Sequence, residues 1–399
     1  YSLNLEKVKV AEDENGNLVF TLPTEYADFA SALEIPILPK HKLENTPVKT
    51  LIEDDFSNNP VTSGAFNFNA VQSSSSNGER VVYLTANENY YLGKPELDSF
   101  AVHAYTSKED IINAINSGLV TATAELSETE AERITSGNFY EKNSSINSGA
   151  FLFFNLKNTY LSKVELRQAI RQGIDIATIR AAAPDTRELD YPIISSQIEL
   201  NEYPEIPVQN FEEAKNKIAE IMNGENLKLN IATVESGYLS AVAEVLAEQL
   251  RNLGIDVSVT VYAENQDFIT NVITQRNYDV LVYEIELGAE PDPIAYYHSS
   301  QAKESGLNLS SYRSTLVDDL LIGARETLDD NLRAKKYESF LEYWVSDVPA
   351  IGLYQANLTY VYNKNVKTYG DYVRLVTGLD RFSDITEWAA VKGTKNLTP

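Results

Sequence analysis

Leu227-Lys228-Leu229-Asn230-Ile231, Ile255-Asp256-Val257-Ser258-Val259-Thr260-Val261 and Tyr278-Asp279-Val280-Leu281-Val282-Tyr283 are three strand-like runs within residues 227–286. Between the first two, Leu239, Val242, Val245, Leu246, Leu250 and Leu253 recur at helical spacing, and Gly254 stands where that helix should stop. Between the second and third, Phe268, Val272 and Ile273 mark a short helix. Strand–helix–strand–helix–strand at this spacing predicts right-handed crossovers and a mainly parallel sheet. Ligands of such sheets sit beyond the carboxyl ends of the strands. The segment after Tyr283 is therefore where a site is expected.

Working outward, Leu316, Leu320, Leu321 and Ala324 mark one helix, and Leu332, Phe340, Leu341 and Trp344 another. Asp347-Val348-Pro349 breaks the second, and Ile351–Tyr354 and Leu358–Tyr362 read as two strands. Upstream, Leu3–Val10 alternates apolar and polar, Glu14–Asn17 is a turn, and Leu18–Leu22 completes a hairpin. Ser73–Gly78 is a loop, and Arg80–Ala86 a strand. Ser107 opens a helix through Ile111, Ile112 and Ile115 that ends at Gly118. Ser127 with Glu130, Ser162 with Glu165, and Asn210 with Glu213 have capping-box spacing.

Composition narrows the function. The 33 Lys+Arg against 58 Asp+Glu leave a net charge of −25. That balance disfavours nucleic acid and an anionic membrane face as partners. With no Cys, disulfides, thiol nucleophiles and Cys-ligated zinc are all removed, although the compartment is not fixed. The 399 residues suit two domains, and there is no charged-then-apolar leader. Tyr1 in place of Met reads as a processed or trimmed piece of a longer product.

The catalytic inventory is thin. His41, His103 and His298 stand apart, without metal-ligand spacing. There is no nucleophile elbow, phosphate loop or dinucleotide fingerprint, so no catalytic residue, metal or cofactor is assigned. Glu284, Glu286, Glu290 and Asp292 place four carboxylates in nine positions. They could coordinate a hard cation, receive an amine, or form a solvated acidic loop. His298 fits a polar contact near the site or a hydrogen-bonded structural residue. Tyr354 and Tyr360 fit either stacking on a ligand or sheet packing.

Several segments together resemble the family 5 extracellular solute-binding proteins, the oligopeptide-, dipeptide- and nickel-binding receptors of ABC importers. Ile35–His41 is similar to that family's proline-rich step, and Asn59-Pro60-Val61-Thr62-Ser63-Gly64-Ala65-Phe66 to its Asn-Pro-Val-Gly-Thr-Gly-Pro-Tyr motif. Asn87–Pro95 resembles its Asn-x-x-Tyr-Tyr-x-Gly-Lys-Pro motif. Phe153-Phe154-Asn155 with Val164–Ile170 resembles its strand and "variable-Arg-x-Ala" helix. Gly288-Ala289-Glu290-Pro291-Asp292-Pro293 resembles its Gly-x-Asp-Pro-Asp-Pro loop, and Val348–Tyr354 its late Pro-Ala-Ile strand. Each match is weak alone; their order across almost the whole chain makes the resemblance specific.

The resemblance implies a two-lobed periplasmic-binding-protein-like α/β fold, type II and cluster C-like, with mixed sheets, helices and a cleft between lobes. Residues 155–355 would form the second lobe, and 1–154 with 356–399 the first. Leu3 aligns well inside the family, so on the order of a hundred or more N-terminal residues are missing, with any signal sequence and lipid-anchor Cys. Peptide binders of the family place an amine-receiving Asp three residues before the Asp-Pro pair. Here that place is Ala289, with Glu290 adjacent.

The expected function is a non-catalytic, monomeric receptor for a small molecule or peptide. It would lie at the cell surface or in the periplasm, membrane-anchored in the full-length protein, and serve ABC-transporter membrane subunits. The expected ligand wall is Tyr283, Glu284, Glu286, Glu290, Asn308, Tyr312 and Tyr354. The alternatives are a surface sensor or scaffold with a degraded cleft, and a carboxylate-dependent hydrolase.

Overall fold

The structure, a computed structural model, describes residues 5–35, 37–73, 79–124, 126–368 and 375–390. The predicted loop at Ser74–Gly78 lies outside the described residues. In chain order the main elements are β1 (Lys9–Glu12), β2 (Leu18–Thr21), β3 (Phe66–Ser73), β4 (Arg80–Ala86) and β5 (Ser99–Ala104), then α1 (Lys108–Ser117), β6 (Ala122–Thr123) and β7 (Phe139–Phe154). They continue as α2 (Val164–Gly173), β8 (Arg187–Glu188), α3 (Phe211–Met222), β9 (Lys228–Val234), α4 (Leu239–Asn252) and β10 (Asp256–Tyr262). The series ends with β11 (Val280–Glu286), α5 (Thr315–Arg325), α6 (Asp330–Asp347) and β12 (Ala350–Asn363).

The chain divides into two compact units. Unit 1 holds residues 1–34 and 147–356; unit 2 holds 35–146 and 357–399. Both β7 and β12 therefore begin in one unit and end in the other. These boundaries differ from the expected 154/155 and 355/356, because β7 is a 16-residue strand whose buried half belongs with β11. Residues 1–34 also fall in unit 1 rather than with the first lobe. Ala27 N–H donates to the Arg325 carbonyl (2.9 Å), Arg333 pairs with Asp28 (2.8 Å), and the Arg325 guanidinium lies 5.3 Å from the Tyr26 ring centre.

In unit 1 the strand order is β10-β9-β11-β7-β12, with β8 on β12. The expected strand–helix–strand segment is present: β9 pairs in parallel with β10 and with β11. The sheet is nevertheless mixed, not mainly parallel, since β7 pairs antiparallel with β11 over seven residues. Phe151, Leu152, Phe153 and Phe154 are all fully buried, so this half of the strand has no wet face. A strand of that kind lacks the period-two signal by which strands are read. Leu239, Val242, Leu246 and Leu250 of α4 close over the parallel strands.

Polar side chains fix the ends of these strands. Asn155 donates to the carbonyls of Arg276 and Tyr278, and Asp279 accepts from Asn158 Nδ2 (2.7 Å) and from the Asn230 backbone N–H (2.8 Å). The capping box forms at Ser127/Glu130, and Asn210 accepts from the Glu213 N–H. At Ser162 it does not form: α2 starts one residue later, and the Ser162 hydroxyl donates to the Thr159 carbonyl instead. The two strands expected at 351–354 and 358–362 are one strand, β12.

In unit 2, β3, β4 and β5 form an antiparallel meander, and Val361 and Tyr362 of β12 pair with β6. Tyr360 is buried there, stacked on Tyr362 with ring centres 5.2 Å apart and packed against Trp388. That is the packing alternative for this tyrosine. Among the described residues no helix is long and apolar enough to cross a membrane.

Close packing on β12 gives a test. A Cβ added at Gly352 would lie 2.4 Å from the Leu189 carbonyl oxygen, a backbone atom held in turn by Arg180 Nη2 (2.9 Å). Gly352→Ala is expected to destabilise the protein by about 1–3 kcal/mol in chemical denaturation, the range for overpacking. Unchanged stability would contradict this close approach.

Candidate functional site

Strands β9 and β11 run parallel, and β11 delivers Tyr283, Glu284 and Glu286 at its carboxyl end. Glu284 is half-buried. Its Oε1 accepts from the Ser148 hydroxyl (2.6 Å), which β7 brings alongside because Ser148 pairs in register with Glu286. The Tyr283 hydroxyl donates to Glu264 Oε1 (3.0 Å), from the loop after β10. Tyr354, on β12, is buried beside them and feels the charge of Glu284 and the neighbouring Tyr238. Tyr238 in turn donates to Asp185 Oδ2 (2.6 Å).

The electrostatics follow from burial among acids. Burial raises the Glu284 carboxyl above its ordinary value; the Ser148 hydrogen bond opposes this, and the Glu264 charge adds to it. Burial, then Glu264, pushes the Tyr283 phenol up to about 12. Tyr354 also moves upward, chiefly through burial. Neither Glu284 nor Glu264 forms an ion pair with a cationic side chain among the described residues.

The other expected wall residues are placed differently. Asn308 has no exposed surface. Its Nδ2 donates to the carbonyls of His298 and Tyr312, and its Oδ1 accepts from the Tyr312 N–H (3.0 Å). Tyr312 is buried, with its hydroxyl on Asp347 Oδ2 (2.5 Å). Both are internal braces of unit 1, with no free polar group to turn to a solute. Glu286 is exposed, and its backbone carbonyl takes the Tyr296 hydroxyl (2.9 Å).

Glu290 accepts from the Ser31 hydroxyl (3.3 Å), and Asp292 is gripped by Arg325 through Nε (2.9 Å) and Nη2 (2.5 Å). Three of the four clustered carboxylates thus point to separate partners and that of Glu286 is exposed, and no metal-holding group of acids and histidines occurs among the described residues. His298 caps a short turn by accepting from the Ser300 N–H (3.0 Å), the structural alternative.

The family model for bacterial extracellular solute-binding proteins, family 5 (middle), matches residues 1–308. The chain belongs to this family. Among curated relatives, the oligopeptide-binding protein AppA of Bacillus subtilis is 25% identical over 359 residues, covering 84% of this chain and 64% of that protein. The chain thus spans less than two thirds of the length of that relative. The structure of AppA in complex with a nonapeptide matches with a TM-score of 0.80 at 23% identity, over 97% of this chain and 79% of that one. NikZ from Campylobacter jejuni in complex with Ni(L-His) matches at 0.81 and 24% identity, over 97% and 80%. These likenesses establish the two-lobed α/β fold of the family 5 proteins.

Sequence reasoning passed over Ser148, Glu264 and Tyr238. Glu264 was within reach: it follows the carboxyl end of β10, the region that marks a ligand site in parallel sheets. Ser148 was not, because its position depends on a strand pairing 136 residues apart in sequence.

The raised Glu284 carboxyl makes a pH prediction. The folded chain binds this proton more tightly than the unfolded chain, so ionising Glu284 costs stability. The cost is absent below the ordinary value of 4.5 and develops as pH rises through the folded value. Glu284→Gln is expected to raise the melting temperature at about pH 7 and to leave it unchanged at about pH 3.5. A lowered melting temperature at neutral pH would contradict the placement of this carboxylate.

Proposed function

We propose that this chain is the solute-capturing receptor of an ABC importer, and that its solute is peptide-like, with an ammonium group seated against Glu284. The observation that carries this reading is a half-buried carboxylate at the carboxyl end of β11, with a second acid beside it and no ion-paired cation among the described residues. A desolvated carboxylate of that kind gains most from a ligand that brings the missing positive charge. Tyr283 supplies aromatic surface, backed by the buried Tyr354, and among the described residues the Glu284 Oε2 atom makes no hydrogen bond. Membership of a solute-binding family and the name of the oligopeptide-binding relative support the same solute class.

On this reading the protein makes and breaks no bonds. It works outside the cytoplasm, as a monomer anchored to the membrane in its full-length form, and hands its solute to the importer's membrane subunits. Glu284 takes the amine-receiving role that the resemblance would give to the position of Ala289. Glu290 is less suited, because it hydrogen-bonds Ser31 and shares its surroundings with Asp28 and Asp292 and their arginine partners.

Thermal unfolding and calorimetry with a tripeptide, its N-acetylated form and the nickel–histidine complex test this. The free-amine tripeptide at a hundredfold excess over Kd should add about 2.7 kcal/mol of stability. N-acetylation, or Glu284→Gln, should weaken binding by at least about tenfold. Equal binding of both peptides would remove the amine contact. Stabilisation by the nickel complex alone would replace peptide by metal chelate.

A further inference from the structure

A second pocket in unit 1, of about 550 Å3, opens between the last turn of α2, the last turns of α6 and the segment Pro204–Pro207. Its floor carries Arg171, only 9% exposed. Nη1 donates to the Val345 carbonyl near the end of α6. Nε is shielded from solvent with no partner, and Nη2 has none among the described residues. No carboxylate among the described residues pairs with this guanidinium. Arg167, one turn earlier on the same helix and also buried, makes the contrast. Its Nε, Nη1 and Nη2 all donate to the carbonyls of Leu161, Asp347 and Val348. Capping α6 thus accounts for one edge of Arg171 and leaves the other open.

The open edge has a definite chemistry. Nε and Nη2 lie side by side, and together they form the fork that grips a carboxylate through two parallel hydrogen bonds. Nε is shielded from solvent, so side-on binding requires the guanidinium to tilt toward the pocket. Burial lowers Arg171 to about 10, which still leaves it charged at neutral pH. Leaving a buried cation without acceptors is costly, and a bound carboxylate removes that cost.

The rim selects among anions. Glu205 and Glu342 also line the pocket, both exposed, in a chain of net charge −25. Multiply charged anions are repelled there, whereas a carboxylate that carries its own ammonium group is not. Pro204 and Pro207 supply apolar wall for a small body.

We propose that this pocket binds a small zwitterionic carboxylate of the amino-acid class. The carboxylate lies side-on against Nε and Nη2 of Arg171, and the ammonium faces Glu205 and Glu342. The site is separate from the Glu284 group and does not depend on that reading.

The test is arginine-selective 15N NMR of the full chain. The Arg171 Nε–H signal is assigned by its absence in Arg171→Lys, or through its own backbone amide should that variant not fold. Glycine, acetate and methylamine are the probes. Glycine should shift the signal saturably, acetate should do so about tenfold more weakly, and methylamine should not. Glu205→Gln combined with Glu342→Gln should bring glycine down to the affinity of acetate. No saturable shift with glycine, or equal affinities for glycine and acetate in the unaltered chain, overturns the proposal.

Discussion

The antiparallel pairing of β7 with β11 is the constraint on which the rest of unit 1 depends. Seven consecutive residue pairs, Val280 with Phe154 through Glu286 with Ser148, set one register. The partner run Phe151–Phe154 is buried on both faces, so slipping the register by one would exchange the two faces of a fully packed strand. The same register brings Ser148 within hydrogen-bonding reach of Glu284 and lets Asn147 hold the next turn, with its Nδ2 on the Gly288 carbonyl (2.8 Å). The site is thus a by-product of hydrophobic pairing, with polar groups added where the strands end.

A second layer of polar bonds keeps the helices in place around that sheet. Arg167 holds the carbonyls of Asp347 and Val348 at the turn where α6 becomes β12, and Val348 there adopts φ +47°, a region unfavourable for a β-branched residue. The carbonyl of the next residue, Pro349, accepts from Ser310 Oγ (2.7 Å) and the Phe154 N–H (3.1 Å). Asn308 and Tyr312 belong to this layer. Their polar groups are consumed in bracing loops against the sheet, so the same residue types that line wet clefts here close a dry one.

Much of the fold was legible because it is local. The strands β9, β10 and β11, α4 and the Ser127/Glu130 cap follow from periodicity and short-range hydrogen bonding, and the parallel pairing follows from the crossover rule. The mixed character of the sheet, which the family resemblance implied, was not legible from periodicity, since β7 joins it through contacts made far along the chain. Tyr283 and Glu284 were chosen by the rule about carboxyl ends, and their neighbour Glu264 obeys the same rule. Glu290 and Asp292 looked equivalent to Glu284 in sequence. What separates them is the position of Ser31 and Arg325, and no spacing in the sequence encodes it. Asn308 and Tyr312 were chosen by residue type, which does not reveal burial.

The central claim is that an incoming ammonium group completes the charge of Glu284. A crystal structure of the full chain with a bound free-amine peptide tests it most directly. The peptide nitrogen is expected in hydrogen-bonding contact with the Glu284 carboxylate, with the Tyr283 ring against the ligand. A peptide bound with its amine on Glu290, or with Glu284 left facing Ser148 alone, would contradict it.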